Sequence, residues 1–219
     1  AMNPDALMTS DVRPESLARP AEPGHAPCVQ VGPSVRMPTS HGMFQLSAFI
    51  ESRTGVEHLA LHLGELAVPG VLVRVHSECF TGDILGSLRC DCGDQLHKAM
   101  QMVEAEGKGV ILYMNQEGRG IGLINKLKAY QLQEKGMDTI EANEALGFDA
   151  DLRTFDQAVE ILLELEIRQV KLLTNNPLKL EALQGIGFVS VDRVPLHGEE
   201  FDSNKNYLNT KREKMGHQL

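Results

Sequence analysis

From Met43 onward the hydrophobic period keeps switching between two residues and about 3.6, and that alternation decides which folds are open to the chain. Phe44, Leu46, Ala48 and Ile50 alternate with polar residues, and His58 to Leu63 repeats a shorter version, which predicts an antiparallel strand pair between Met43 and Leu66. Val71 to Val75 reads as another strand, ending at His76. Asp94 to Glu106 then places Leu96, Met100 and Val103 on one helical face, with Gly107 as the stop, and Gly109 to Tyr113 is an apolar strand. A second helix, closed by Gly136, carries Leu123, Leu127 and Tyr130 on one face. Thr154 and Gln157 form a capping-box pattern for a helical run through Phe155, Ala158, Val159, Leu162 and Leu163. Gln169 to Leu173 returns as a strand, and Asn176-Pro177 places an N-cap before a proline at the first helical position. Ser190 to Val194 is a last strand ahead of an irregular tail. The expected fold is mixed α/β (α+β) in a single domain, with antiparallel N-terminal strands followed by strand-loop-helix units.

Residues 1–36 show no such period. Their Pro, Ala, Asp and Glu content is that of a disordered tail, and Ala1-Met2 reads as a cloning remnant before the native methionine. The domain is therefore expected to cover residues 37–219, and a chain of 219 residues with 42% hydrophobic content can build its own core. No apolar run approaches the roughly 20 residues that cross a bilayer, and no charged-then-apolar leader is present, so the expectation is a soluble, cytoplasmic protein without a membrane partner. The net charge of −9 repels polyanions and argues against a nucleic-acid partner. An anionic ligand then needs a local cationic pocket, for which Arg74, Arg89, Arg119, Lys126, Arg153 and Lys179 are candidates unless they are only solvated surface.

Cys79, Cys90 and Cys92 form a cluster with no fourth cysteine nearby and no histidine at finger spacing. Three thiolates suggest a zinc ion that keeps one position open for water. Reduced cysteines packed as small hydrophobes are the alternative, which the polar neighbours Glu78, Asp83, Arg89 and Asp91 disfavour. Lone Cys28 is assigned no role. His76, beside the first thiol, either orients the zinc shell or is a hydrogen-bonded structural histidine. The glycine-rich run Gln116-Glu-Gly-Arg-Gly-Ile-Gly is neither the Walker sequence nor the dinucleotide fingerprint. Its glycines let backbone approach a phosphate, Arg119 can grip phosphate oxygens, and Glu117 can accept from a guanine edge. A plain tight turn with a surface ion pair explains the same residues.

Six blocks in fixed order go further: Arg74-Val-His-Ser-Glu-Cys, Ser87-Leu-Arg-Cys-Asp-Cys-Gly, Gln116-Glu-Gly-Arg-Gly-Ile-Gly-Leu, Glu141-Ala-Asn, Leu173-Thr-Asn-Asn-Pro and Lys214-Met-Gly-His. Together they resemble GTP cyclohydrolase II, the family that opens riboflavin biosynthesis, from about Met37 to Leu219. The resemblance implies zinc-dependent hydrolysis of GTP to 2,5-diamino-6-(5-phosphoribosylamino)pyrimidin-4(3H)-one, formate and pyrophosphate, with zinc at the imidazole ring, magnesium at the phosphates, and a homodimer. It implies Cys79, Cys90 and Cys92 as zinc ligands, and Arg74, Val75, His76, Ser77, Glu78, Gln95, Glu117, Gly118, Arg119, Thr139, Thr174 and Lys179 as nucleotide-binding positions. It further implies Asp151 as a base, Arg153 as the group attacking the α-phosphorus, and Tyr130 in ring opening. A guanidinium with a pKa above about 12 is a poor nucleophile, so an electrostatic role for Arg153 is the safer chemistry. Tyr130 also reads as a core aromatic on the face of Leu123 and Leu127. Two rivals remain. His76-Ser-Glu78 imitates a zinc deaminase, although Cys-x-Cys stands where that family needs Pro-Cys-x-x-Cys, and a noncatalytic nucleotide sensor would keep the zinc as structure.

Overall fold

A computed structural model of the chain describes residues 28–184 and 187–218. The first 27 residues of the expected tail, including Ala1-Met2, lie outside the described residues. The strands β1 (Val29–Thr39), β2 (Gly42–Glu51), β3 (Glu57–Leu63), β4 (Val71–Ser77), β5 (Gly109–Met114), β6 (Gln169–Leu173) and β7 (Ser190–Val194) form one sheet in the order β1-β2-β3-β5-β4-β6-β7. β1, β2, β3 and β5 pair antiparallel, whereas β5, β4, β6 and β7 pair parallel. The helices are α1 (Phe80–Asp83), α2 (Cys92–Glu106), α3 (Gly122–Gln133), α4 (Thr139–Ala145), α5 (Asp156–Glu164), α6 (Pro177–Gln184) and α7 (Lys205–Lys214).

Helices on both faces explain the burial. Val71, Val73 and Val75 of β4 and Val110, Leu112 and Met114 of β5 pack with Phe155, Ala158, Val159, Ile161 and Leu162 of the α5 segment and Leu183 of α6. On the other face Leu72 and Ile111 meet Ala99 and Val103 of α2. β4 is buried from Val71 through His76, as a central parallel strand covered on both sides must be. In β2 the even-numbered residues were expected to face the core together. Instead Phe44 is buried on the α2 face and Phe49 on the α5 face, because both sides of the sheet are covered there.

Four expectations need correction. β1 occupies residues 29–36 of the stretch read as tail: it lacks an apolar period because Val31 and Val35 face solvent, and its backbone pairing with β2 holds it instead. Glu160 adds an anchor by accepting from the amides of Cys28 (3.1 Å) and Val29 (2.8 Å). The capping box at Thr154 does not form. The Gln157 Oε1 accepts from the Thr154 hydroxyl at 3.3 Å, its Nε2 donates to the Glu51 carboxylate at 2.7 Å, and Phe155, whose side chain has no group to cap with, is the N-cap. The box belongs to α4, where Asp138 accepts from Ile140 and Glu141 while Glu141 accepts from Asp138. On α3 the buried residues are Lys126 and Ala129, whereas Leu127 is exposed. Finally, α7 stands where an irregular tail was expected. Asn176-Pro177 does cap α6, the Asn176 Oδ1 accepting from the Leu178 amide at 3.0 Å. Among the described residues, no helix is long and apolar enough to cross a membrane.

Candidate active site

Because β4, β5 and β6 run parallel, their carboxyl ends open on one edge, and the loops after Ser77, Met114 and Leu173 gather there. The cleft between these loops encloses about 1090 Å³ counted out to its open mouth. Its wall contains Arg74, His76, Ser77, Glu78, Cys79, Cys90, Cys92, Gln95, Glu117, Gly118, Arg119, Tyr130, Thr139, Arg153, Thr174 and Lys179. Two of the expected residues stand back from it. The Val75 side chain belongs to the core, and only its carbonyl serves the site, accepting from Lys179 Nζ at 2.7 Å. Asp151 lies behind Arg153 and holds it.

Cys79 caps α1, Cys92 opens α2, and Cys90 lies two residues before it. The three sulfurs lie within 4.8 Å of one another, with Cys79 and Cys90 at 3.7 Å. Tetrahedral zinc with bonds of about 2.3 Å would hold its sulfurs roughly 3.8 Å apart, so the donor set fits such an ion. Gly82 makes the gathering possible, since a Cβ there would stand 2.9 Å from the Cys90 sulfur and 3.1 Å from that of Cys79. Hydrogen bonds from Cys90 and Cys92, helped by Lys126, pull the Cys79 thiol far down, and the bond to Cys79 pushes Cys90 up to about 11. One thiolate is thus already favoured at the first position.

Lys126 Nζ donates to Cys79 Sγ at 3.0 Å and to Glu117 Oε1 at 2.8 Å. Burial alone would lower its pKa, but the Cys79 thiolate and the Glu117 carboxylate more than offset that. This explains the turned face of α3. Glu117 also accepts from the Phe80 amide at 2.7 Å and the Gly118 amide at 2.6 Å, bracing the glycine turn against the cysteine loop. Gly118 and Arg119 both sit in the left-handed region, at φ of 62° and 60°. For arginine that conformation costs roughly 1–2 kcal/mol, a local strain that the surrounding contacts of the turn must offset. Arg119 donates to the Ala150 carbonyl through Nη1, while its buried Nη2 has no partner among the described residues.

Asp83 is a buried hub behind the cysteine side of the cleft. It accepts from His76 Nε2 (3.1 Å), the Tyr113 hydroxyl (2.9 Å) and the Cys79 amide (3.0 Å). His76 lies stacked on Tyr113, and burial lowers its pKa. The Tyr130 hydroxyl is 3.4 Å from Thr81 Oγ1, itself 3.7 Å from Cys79 Sγ, and Arg89 covers the ring at 4.9 Å. Tyr130 is therefore a cleft residue rather than core.

The remaining wall is cationic. Arg153 grips Asp151 with Nε (2.8 Å) and Nη2 (2.5 Å) and donates to Ser77 Oγ at 3.2 Å. Burial pushes the Asp151 carboxyl up, but Arg153 more than reverses this and leaves it below the usual range. Desolvation draws Arg74 down to about 10, and burial beside Arg74 and Arg153 draws Lys179 well below its ordinary value. Thr174 Oγ1 accepts from the Asn176 amide, and Thr139 opens α4 at the rim. Sequence reasoning assigned no role to Asp83, Tyr113, Asn175, Tyr207, Lys211 or His217. Asp83 was legible only as a polar neighbour of the thiols, Asn175 and His217 only as members of the Leu173-Thr-Asn-Asn-Pro and Lys214-Met-Gly-His blocks, and Tyr207 and Lys211 carry no motif because α7 was not foreseen.

Residues 30–195 match the family profile described as GTP cyclohydrolase II. The chain is 54% identical over 187 residues to the riboflavin biosynthesis protein RibBA of Bacillus subtilis, covering 84% of this chain and 47% of that protein. It is 57% identical over 187 residues to RibBA of Cytophaga hutchinsonii, covering 84% and 46%. The chain thus spans about half the length of the curated relatives it matches. The solved structure of RibBX, a two domain 3,4-dihydroxy-2-butanone 4-phosphate synthase from A. baumannii, aligns with a TM-score of 0.47 at 22% identity over 76% of this chain and 40% of that one, too loosely to bear on fold or chemistry.

Proposed function

The chain belongs to the GTP cyclohydrolase II family, and from that premise we propose that it hydrolyses GTP to 2,5-diamino-6-(5-phosphoribosylamino)pyrimidin-4(3H)-one, formate and pyrophosphate, the first step of riboflavin biosynthesis. One observation carries the reading: three thiols gathered at one wall of a cleft whose other wall presents Arg74, Arg119, Arg153 and Lys179. The cofactors of this reading are zinc at Cys79, Cys90 and Cys92 and magnesium with the triphosphate. When bound, zinc supplies an open position that lowers the pKa of water toward about 7 and polarises a carbonyl.

The triphosphate is held by this chain's cations. Arg119 offers a buried donor that has no partner among the described residues, and an anion among Arg74, Arg153 and Lys179 relieves the repulsion that adds to burial in depressing Lys179. Pyrophosphate departure spreads charge over phosphate oxygens, which fixed guanidinium and ammonium groups stabilise without reorganising. Asp151, with both oxygens on Arg153 and a depressed pKa, fits an anchor better than a base, and Arg153 fits an electrostatic clamp. Glu117 has three of a carboxylate's roughly four acceptor positions filled, so it can take one further N–H from the guanine edge rather than a pair. Tyr130, whose hydroxyl lies 3.4 Å from Thr81 Oγ1, orients water or the opened ring in this reading. His76, Ser77, Glu78, Gln95, Gly118, Thr139 and Thr174 complete the nucleotide site, with Val75 contributing through its carbonyl. A cytoplasmic homodimer acting on a free nucleotide, without nucleic acid or membrane, completes the proposal.

Incubation with GTP and both metals should release formate and pyrophosphate together. Ammonia in place of formate would mean a deaminase, and GTP binding without turnover would mean a sensor. Dialysis against a zinc chelator should abolish formate release.

A further inference from the structure

The profile match ends at residue 195, yet the chain beyond it returns to the cleft. Ser203 Oγ donates to the Leu88 carbonyl at 2.6 Å and the Gln218 amide to the Asn175 carbonyl at 3.0 Å, with α7 lying between these ties. Lys211 is its centre. It is only 8% exposed, its Nζ donates to Asp91 Oδ1 at 2.8 Å, and the ammonium sits 4.3 Å above the ring of Tyr207, whose hydroxyl is 4.0 Å from Cys92 Sγ. Asp91 is the residue between two of the thiol donors. Its other oxygen accepts from Gln95 Nε2 at 2.6 Å. Because a carboxylate only accepts, the Gln95 amide must turn its nitrogen to Asp91 and its oxygen to Arg74, whose Nη2 donates to it at 2.7 Å. Arg74 Nη1 is fixed on the Leu173 carbonyl at 3.0 Å, and the buried Nε–H is left without a partner among the described residues. The close approach is built in: a Cβ on Gly198 would stand 2.5 Å from that of Asp91.

We propose that Lys211 is a positioning residue for the reaction: by pairing with Asp91 and covering Tyr207 it seats the C-terminal segment as a wall of the cleft and fixes Gln95 so that Arg74 presents its free Nε–H to the nucleotide. The role rests on the GTP reaction proposed above. A buried ion pair acts as a unit, since removing one partner strands the other, so the two residues must be tested together.

In the full chain with its metals, Lys211→Met should raise KM for GTP on the order of ten- to a hundredfold, the loss typical of removing an outer partner of a site. Trypsin should cleave at Arg212 and Lys214 faster than in the parent. Lys211→Arg should recover most of both, and adding Asp91→Asn to Lys211→Met should cost no more than Lys211→Met alone. The double variant also leaves no stranded carboxylate, which keeps the comparison open if the single variant folds poorly. Lys205→Met, on the exposed side of α7, is the control and should match the parent. Parent-like KM and cleavage in Lys211→Met, or additive losses in the double variant, would overturn the role while the reaction stands. A parent that turns over no GTP overturns the reaction itself, and the role with it.

Discussion

Gly82 shows how narrow the tolerances of the site are. With no Cβ it lets two sulfurs approach to within about 3 Å of where that carbon would be. Gly82→Ala should therefore weaken metal capture on the order of tenfold or more, the loss expected when the shell supporting a ligand is disturbed. Competition with a chromophoric chelator would measure it, and unchanged affinity would show that the thiols can spread. His217 governs a different property. Burial, reinforced by Lys211, Lys179, Arg119 and Arg153, draws it down to about 3. The unfolded chain takes up that proton near pH 6.5, so between about 6.5 and 3 the unfolded state binds more protons and stability falls on acidification. Burial lowers His76, His58 and His62 in the same direction. Melting temperature should decline from about pH 6.5 downward, and His217→Asn should flatten part of that slope. At this scale Cys79, Cys90 and Cys92 were legible because thiols at short spacing have few uses. Asp83 and Lys211 were not, since their partners Tyr113 and Asp91 are 30 and 120 residues away and no local pattern encodes such a pairing.

Whole elements were legible where packing and local preference agree. β5, β6 and β7 and the helices α5 and α6 appear where the hydrophobic period places them, and α6 also where its Asn176 cap does, since each packs apolar residues against the cores on the two faces of the sheet. Where tertiary chemistry dominates, period misleads: α3 turns Lys126 inward toward a thiolate and leaves Leu127 in water. β1 is held by backbone pairing and α7 by polar contacts, so neither shows an apolar stripe. α4 is also short, and its capping box does much to define it. Asp138 accepts from two first-turn amides and pairs with Lys214, tying α4 to α7. Asp138→Ala should cost about 1–2 kcal/mol of stability in urea unfolding, the range for losing a helix cap. A smaller loss would mean that the helix is held by its packing alone.

Across the whole molecule, charge is distributed against the average. The chain carries −9 overall, yet its cleft concentrates arginine and lysine, so attraction for the proposed triphosphate substrate would be local and short-ranged. Raising salt from 0.01 M to 0.15 M shortens the screening length from about 30 to about 8 Å, and KM for GTP should rise while kcat changes little. A KM indifferent to salt would place the phosphates away from these cations. The seam at β5, antiparallel to β3 and parallel to β4, has its own consequence. The carboxyl ends of β4, β5 and β6 deliver the chemistry to one edge, while the tip of the β1–β2 hairpin at Ser40 points toward the other. Half of the sheet is thus a chassis and half a workbench, and foreign sequence grafted at Ser40 should leave turnover intact where the same graft after Met114 would erase it.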